Sequence, residues 1–391
     1  MYIQIKTYFN PDGVYMSKEK QMFRLPEHYW EAHSRDNDFI KRVVSRYGER
    51  AHEFLDDVLH WGKHINANEP ELLNYISKPE GIVLLDEWMK RMDYTPMREE
   101  WQQKSSTEKE DFLRFFYDRA QKIVTLSKKI DDVSQDINSL YFSQKYKEAL
   151  QIIRPLIDDY EKLNYFEETD TTRYFEFENF VEEILWNNLE DPSKKTRISF
   201  LPAGYLYHWY GILLKAIDQR KEARSALETA YRWNPASAKI IFNLTETLSM
   251  NELDEFLRLL RCAHEYCYSR MDLAKCYRGF ANAFIGKKEF KDALCCYKIG
   301  RYYDKSKDYM RVELAEIAQY LGGDIPDVDI EDVIESSEHY NYPIGVNRKI
   351  LTIAGYCEED YRKHGNKKIA ELFASIMVDF FGKGTKGPVV N

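Results

Sequence analysis

Between residues 204 and 235, large and small side chains recur at offsets that suit two helices packed closely together. Tyr207, Tyr210, Gly211 and Leu214 fall on one helical stretch, Ala223, Leu227 and Ala230 fall on a second, and Pro235 closes the unit. Small residues such as Gly211, Ala223 and Ala230 let helix backbones approach, and large ones such as Tyr207 and Leu227 fill the space between them. The pattern returns downstream. Ile241, Leu244 and Leu248 lead to Phe256, Leu260 and Ala263, with Thr245 in the place of the glycine and a connector one residue shorter. Tyr277, Phe280, Ala281 and Phe284 then lead to Ala293, Tyr297 and Gly300 across Gly286-Lys-Lys-Glu-Phe290, and a weaker unit begins near Asp308 with Leu314, Ala315 and Ala318. Units of this kind cannot bury an apolar face alone and must stack on one another.

These units resemble the tetratricopeptide repeat (TPR), a helix-turn-helix of about 34 residues. The resemblance is strongest over residues 204–304, extends more weakly over 130–381 and does not cover 1–97. It implies an all-α fold: a TPR-like helical repeat solenoid over residues 105–382. Residues 1–104 then form a small N-terminal α region with a β-hairpin, and 383–391 a frayed tail. It also implies a function, an intracellular scaffold that binds a protein or peptide partner on its concave face. In this family the binding residues lie on the inner face of each unit's first helix. Mapped by offset, that face offers Tyr205, His208 and Trp209, then Phe242 and Asn243, then Lys275, Arg278 and Asn282. One subtype grips the C-terminal carboxylate of a peptide. Asn243 and Lys275 match its set, while His208, Ile212 and Gly279 stand where Lys, Asn and a cation are expected. On this reading Trp209 and Phe242 are apolar anchors, and Lys275 with Arg278 offers positive charge to an acidic or C-terminal group.

Composition agrees with long helices. Aromatic residues make up 15% of the 391 residues, with 29 tyrosines against 17 glycines and 12 prolines, which suits packed aromatic seams better than disorder or an all-β fold. The net charge of −9 disfavours nonspecific nucleic-acid binding, even though the run Tyr205-Leu-Tyr-His-Trp-Tyr210 could stack bases. Met1-Tyr-Ile-Gln-Ile-Lys lacks the basic start and apolar stretch of a signal peptide, and no stretch reads as a membrane span. The six cysteines form no C-x-x-C pair. Reduced thiols in a cytoplasmic protein are expected.

Along the chain, Ile3, Ile5 and Thr7 alternate with polar residues, Asn10-Pro-Asp-Gly13 supplies a turn, and Val14-Tyr-Met starts a second run: a hairpin. Helical periodicity begins near Asp36. Thr107 with Glu110 reads as a capping box that opens a long helix through Val124. A repeat-like unit follows over residues 130–160, with Pro155 expected to kink its second helix. Residues 171–189 read as one helix bearing Phe175, Phe180, Ile184 and Leu185. Gly322-Gly323-Asp-Ile-Pro-Asp-Val reads as an interruption, and a final helix pair spans 346–362 and 366–381.

One stripe could carry chemistry. His52, Asp56, His60 and His64 share one face if a helix persists through Gly62, and two histidines with a carboxylate could ligate zinc. That suggests a metal-dependent enzyme as an alternative. A second alternative, on architecture alone, is a regulator resembling bacterial peptide-pheromone sensors, which join an N-terminal helical module to a TPR array. No phosphate-binding loop or nucleophile elbow occurs. No catalytic residue and no cofactor is expected.

Overall fold

The computed structural model describes residues 14–16, 22–24, 102–103, 105–163, 172–190, 195–199, 201–306 and 308–381. Thirteen α-helices and four short strands lie among them, so the described chain is mainly α-helical. It divides into two compact units, Met1–Glu176 with Pro192–Leu213, and Phe177–Asp191 with Leu214–Asn391.

In the first unit, β1 (Val14–Met16) pairs antiparallel with β2 (Met22–Arg24), Val14 opposite Arg24. Val14-Tyr-Met therefore pairs forward along the chain. The strand expected before it lies outside the described residues. Helix α1 (Ser106–Phe142) runs unbroken for 37 residues, where a helix ending near Val124 and a second one were expected. No glycine or proline interrupts it, and Ile123, Leu126, Ile130 and Ile137 form one continuous buried stripe. Gln144, at φ 58°, reverses the chain into α2 (Tyr146–Lys162), which continues through Pro155 and buries Ala149, Ile153, Leu156 and Tyr160.

The helix expected over 171–189 starts late. Thr172–Phe175 is a strand, β3, paired in parallel with β4 (Lys195–Ile198), and Ser199 N donates to Phe175 O at 2.7 Å. This two-stranded sheet corrects the expectation of a purely helical chain beyond residue 105. Thr172, Tyr174 and Phe175 are β-branched or aromatic and favour strand. Asn179, extended at φ −155° and ψ 167°, accepts from Val181 N and Glu182 N, so α3 (Phe180–Leu189) can begin only at Phe180. The Glu176 carboxylate accepts from Gly204 N and Tyr205 N. It thereby caps α4 (Ala203–Ala216), where the orphan amides and the helix dipole favour an anion.

The second unit holds α3 and the helices that follow α4. These are α5 (Arg220–Trp233), α6 (Ala238–Thr245), α7 (Leu253–Glu265), α8 (Arg270–Lys287), α9 (Phe290–Tyr303), α10 (Arg311–Leu321), α11 (Ile330–Tyr340), α12 (Arg348–Lys363) and α13 (Lys367–Phe381). Sequence neighbours pack together from α5 to α9, as do α12 and α13. Connectors as short as Lys288-Glu289 make such neighbours antiparallel. Helix α6 is brief because the Thr245 and Thr247 hydroxyls donate to Phe242 O and Leu244 O, side-chain bonds that compete with continued helix. Helix α11 was not anticipated. The capping box of Asp329 and Asp332 is its start signal.

The C-terminal pair turns back on the unit. Phe180 of α3 meets Tyr361 and Phe373 edge-on at 5.8 and 6.3 Å, and Arg270 N donates to Asp379 at 2.7 Å. Burial pushes His264 down to about 4. It is therefore neutral, and its Nε2–H donates to Gly345 O at 2.6 Å.

Two positions give direct tests. A Cβ at Gly300 would stand 1.8 Å from Tyr309 Oη and 2.7 Å from Cζ, so Gly300→Ala must expel the ring. Thermal melting is expected to show a loss of about 1–3 kcal/mol, most of which disappears when Gly300→Ala is made in a Tyr309→Ala background. Glu182 is buried and accepts from Asn234 Nδ2 and Glu178 N, both at 2.8 Å. Burial, outweighing these bonds, raises it from 4.5 to about 7. The fold thus favours the protonated form. This contribution is full below pH 4.5 and is lost as pH rises through about 7. Glu182→Gln should therefore gain up to about 3 kcal/mol over the parent above neutral pH, with the difference vanishing at low pH. A pH-independent difference between the two melting curves would contradict this.

Candidate functional site

The first helices of successive pairs converge on one groove. A cavity of about 670 Å³ in the second unit is lined from α6 and its C-cap by Phe242, Thr245 and Glu246, from α8 by Met271, Asp272, Lys275, Arg278, Gly279 and Asn282, and from α10 by Glu313. Leu253, Phe256 and Leu260 of α7 add an apolar surface, and Asp304 and Tyr309 also line it. A Cβ at Gly279 would lie 2.8 Å from Leu260 Cδ2, so glycine lets α8 ride close on α7 where a cation was anticipated.

Four of the expected contact residues line this groove: Phe242, Lys275, Arg278 and Asn282. Asn243 stands beside it on α6, with Oδ1 accepting from Lys215 Nζ at 2.8 Å and Nδ2 donating to Lys239 O at 3.0 Å. The other three belong to the first unit and are not among the groove's lining residues. His208 is buried rather than presented. Trp209, half-buried, meets Tyr141 edge-on at 5.4 Å and Tyr205 at 6.4 Å. Burial raises the Tyr205 phenol. The His52, Asp56, His60 and His64 stripe lies outside the described residues. Among the described residues, no group of three or more His, Cys, Asp or Glu side chains could hold a metal ion.

The groove's charge is opposite to the expectation. Its lining carries four carboxylates, Glu246, Asp272, Asp304 and Glu313, against the cations Lys275 and Arg278. Both cations are already engaged. Lys275 Nζ sits 5.0 Å above the Phe242 ring and 3.8 Å from Glu246 Oε1, and burial lowers it despite the attraction of Glu246. Glu246 also takes Lys215. Arg278 Nε and a terminal nitrogen both reach Glu313 Oε1 at 2.5 Å. Glu313 is 9% exposed, and its Oε2 has no hydrogen-bond partner. Sequence reading missed Glu313, Asp304, Tyr309 and Met271. The first three come from or lead into α10, where the repeat pattern is weakest, and the glycine notch at 300 was the available signal for Tyr309.

The cysteines of the described chain are all free thiols, buried except for the half-buried Cys262. No described helix is long and apolar enough to cross a membrane. No protein-family model matches the chain, and no curated protein matches it significantly.

The ion pairs make the two groove cations unequal. Arg278→Ala leaves the buried Glu313 carboxylate without its donor and should cost about 1–3 kcal/mol. Lys275→Ala breaks a half-exposed pair and should cost under about 1 kcal/mol. In a Glu313→Gln background the Arg278→Ala loss should shrink. Chemical denaturation of the single and double variants measures the coupling, and additivity would contradict the pairing.

Proposed function

We propose that the chain is a TPR-like interaction scaffold that holds a peptide segment or helix of a protein partner in the groove formed by α6, α8 and α10. One observation carries this reading: the first helices of two successive pairs, α6 and α8, together with α10, which packs on α8, contribute to a single open cavity, as the concave face of a repeat array requires. The small residues of the pattern support the same reading. Ala223, Ala230, Ala281, Ala293 and Gly300 are all buried at helix contacts. Met271, 63% exposed at the groove, with Phe256 and Leu253, supplies an apolar surface of the kind that anchors a partner. The exposed, polar Asn282 beside it would set the partner's register.

Met271→Glu places a charge on that surface without touching the core. Quantitative affinity capture with the parent and the variant is expected to show a partner whose recovery falls at least about tenfold while the melting temperature is unchanged. Equal recovery of every captured protein would count against the groove.

A further inference from the structure

We propose that the occupant of this groove is a basic segment: a lysine or arginine side chain seated toward Glu313 and Asp304, with an adjacent apolar residue on Met271 and Phe256. The inference rests on the groove reading above and names the partner's chemistry. Charge complementarity comes first. The lining carries two more carboxylates than cations, and both cations are satisfied from within the groove, Lys275 by Glu246 and Phe242, Arg278 by Glu313. An incoming carboxylate would have to break those pairs and would meet Asp272 and Asp304 besides. An incoming cation breaks nothing.

Glu313 supplies the independent observation. Two nitrogens of Arg278, Nε and Nη2, converge on Oε1, and the other oxygen of this groove-lining residue, Oε2, is buried and meets no donor. An ionised carboxylate offers about four acceptor positions, and a buried charged oxygen without a donor is an exception that calls for one. A guanidinium or ammonium from the partner would supply it once the Glu313 carboxylate turns toward the groove, and the bond would be charge-assisted. Lysine and arginine also carry long apolar stems that suit a groove lined by Leu253, Phe256 and Leu260.

The test uses the full chain and a display library of short random peptides. Enriched sequences are synthesised with acetylated N-termini and amidated C-termini, so that only side chains carry charge. Affinities are read by fluorescence anisotropy against the parent, Glu313→Gln, Asp304→Asn and, as a control, the exposed Glu371→Gln on α13. Enrichment of Lys or Arg beside an apolar residue is expected, with affinity falling about tenfold in Glu313→Gln, several-fold in Asp304→Asn and not at all in Glu371→Gln. Asp304→Asn keeps the Arg278–Glu313 pair and decides the matter if Glu313→Gln fails to fold. Enrichment of acidic or uncharged peptides, or equal weakening by Glu371→Gln, overturns the basic-segment proposal and leaves the groove reading standing. Capture of no peptide at all overturns both.

Discussion

The groove depends on the insertion of Tyr309 against Gly300. The ring leaves no room for a side chain on α9, stacks on Tyr297 at 6.0 Å, and donates its hydroxyl to Ala274 O of α8 at 2.8 Å. One side chain thus ties three successive helices, α8, α9 and the start of α10. The hydrogen bond alone contributes about 0.5–1.5 kcal/mol, and close packing adds the rest. With α10 fixed in this way, Glu313 reaches Arg278, and the groove acquires its acidic wall. Shape and charge of the site therefore share one origin.

A second constraint acts on the whole second unit. In a one-dimensional stack, each pair would touch only its neighbours. Here α12 and α13 return to α3 through Phe180, Tyr361 and Phe373, and the loop before α12 is held by His264 and Tyr277 at Gly345 O. Tyr303 joins both sets of contacts, stacking on Tyr277 at 6.1 Å and meeting Phe380 at 6.3 Å. Contacts that close over such sequence distances make the unit more cooperative than a sum of helix pairs, because losing the C-terminal helices uncovers residues near position 180.

The helix pairs with regular large-small spacing were legible in the sequence. Tyr277, Phe280, Ala281 and Phe284 with Ala293 mark α8 and α9, all five buried as the pattern requires, and the final pair is placed within two residues of its bounds. The misreadings came where local signals compete. Thr172–Phe175 carries apolar residues that fit either period, and only the Asn179 cap separates strand from helix. Residues 106–142 hold one helix because nothing breaks them, although the repeat pattern suggested a boundary. The site was half legible for a similar reason. Offsets along α6 and α8 picked out Phe242, Lys275, Arg278 and Asn282, but offsets carry no information on which carboxylate a cation meets. Glu313 lies 35 residues from Arg278, and that pairing, decided by Tyr309, takes up the positive charge that Arg278 was expected to offer.

Native-state hydrogen exchange tests most directly whether Tyr309 makes α8, α9 and α10 one structural unit. If it does, the core amides of Arg311–Leu321 open with the same free energy and the same denaturant dependence as those of α8 and α9. If α10 exchanges early and independently, as a loosely attached terminal helix would, then Tyr309 does not lock the groove and its acidic wall is not a fixed feature of the fold.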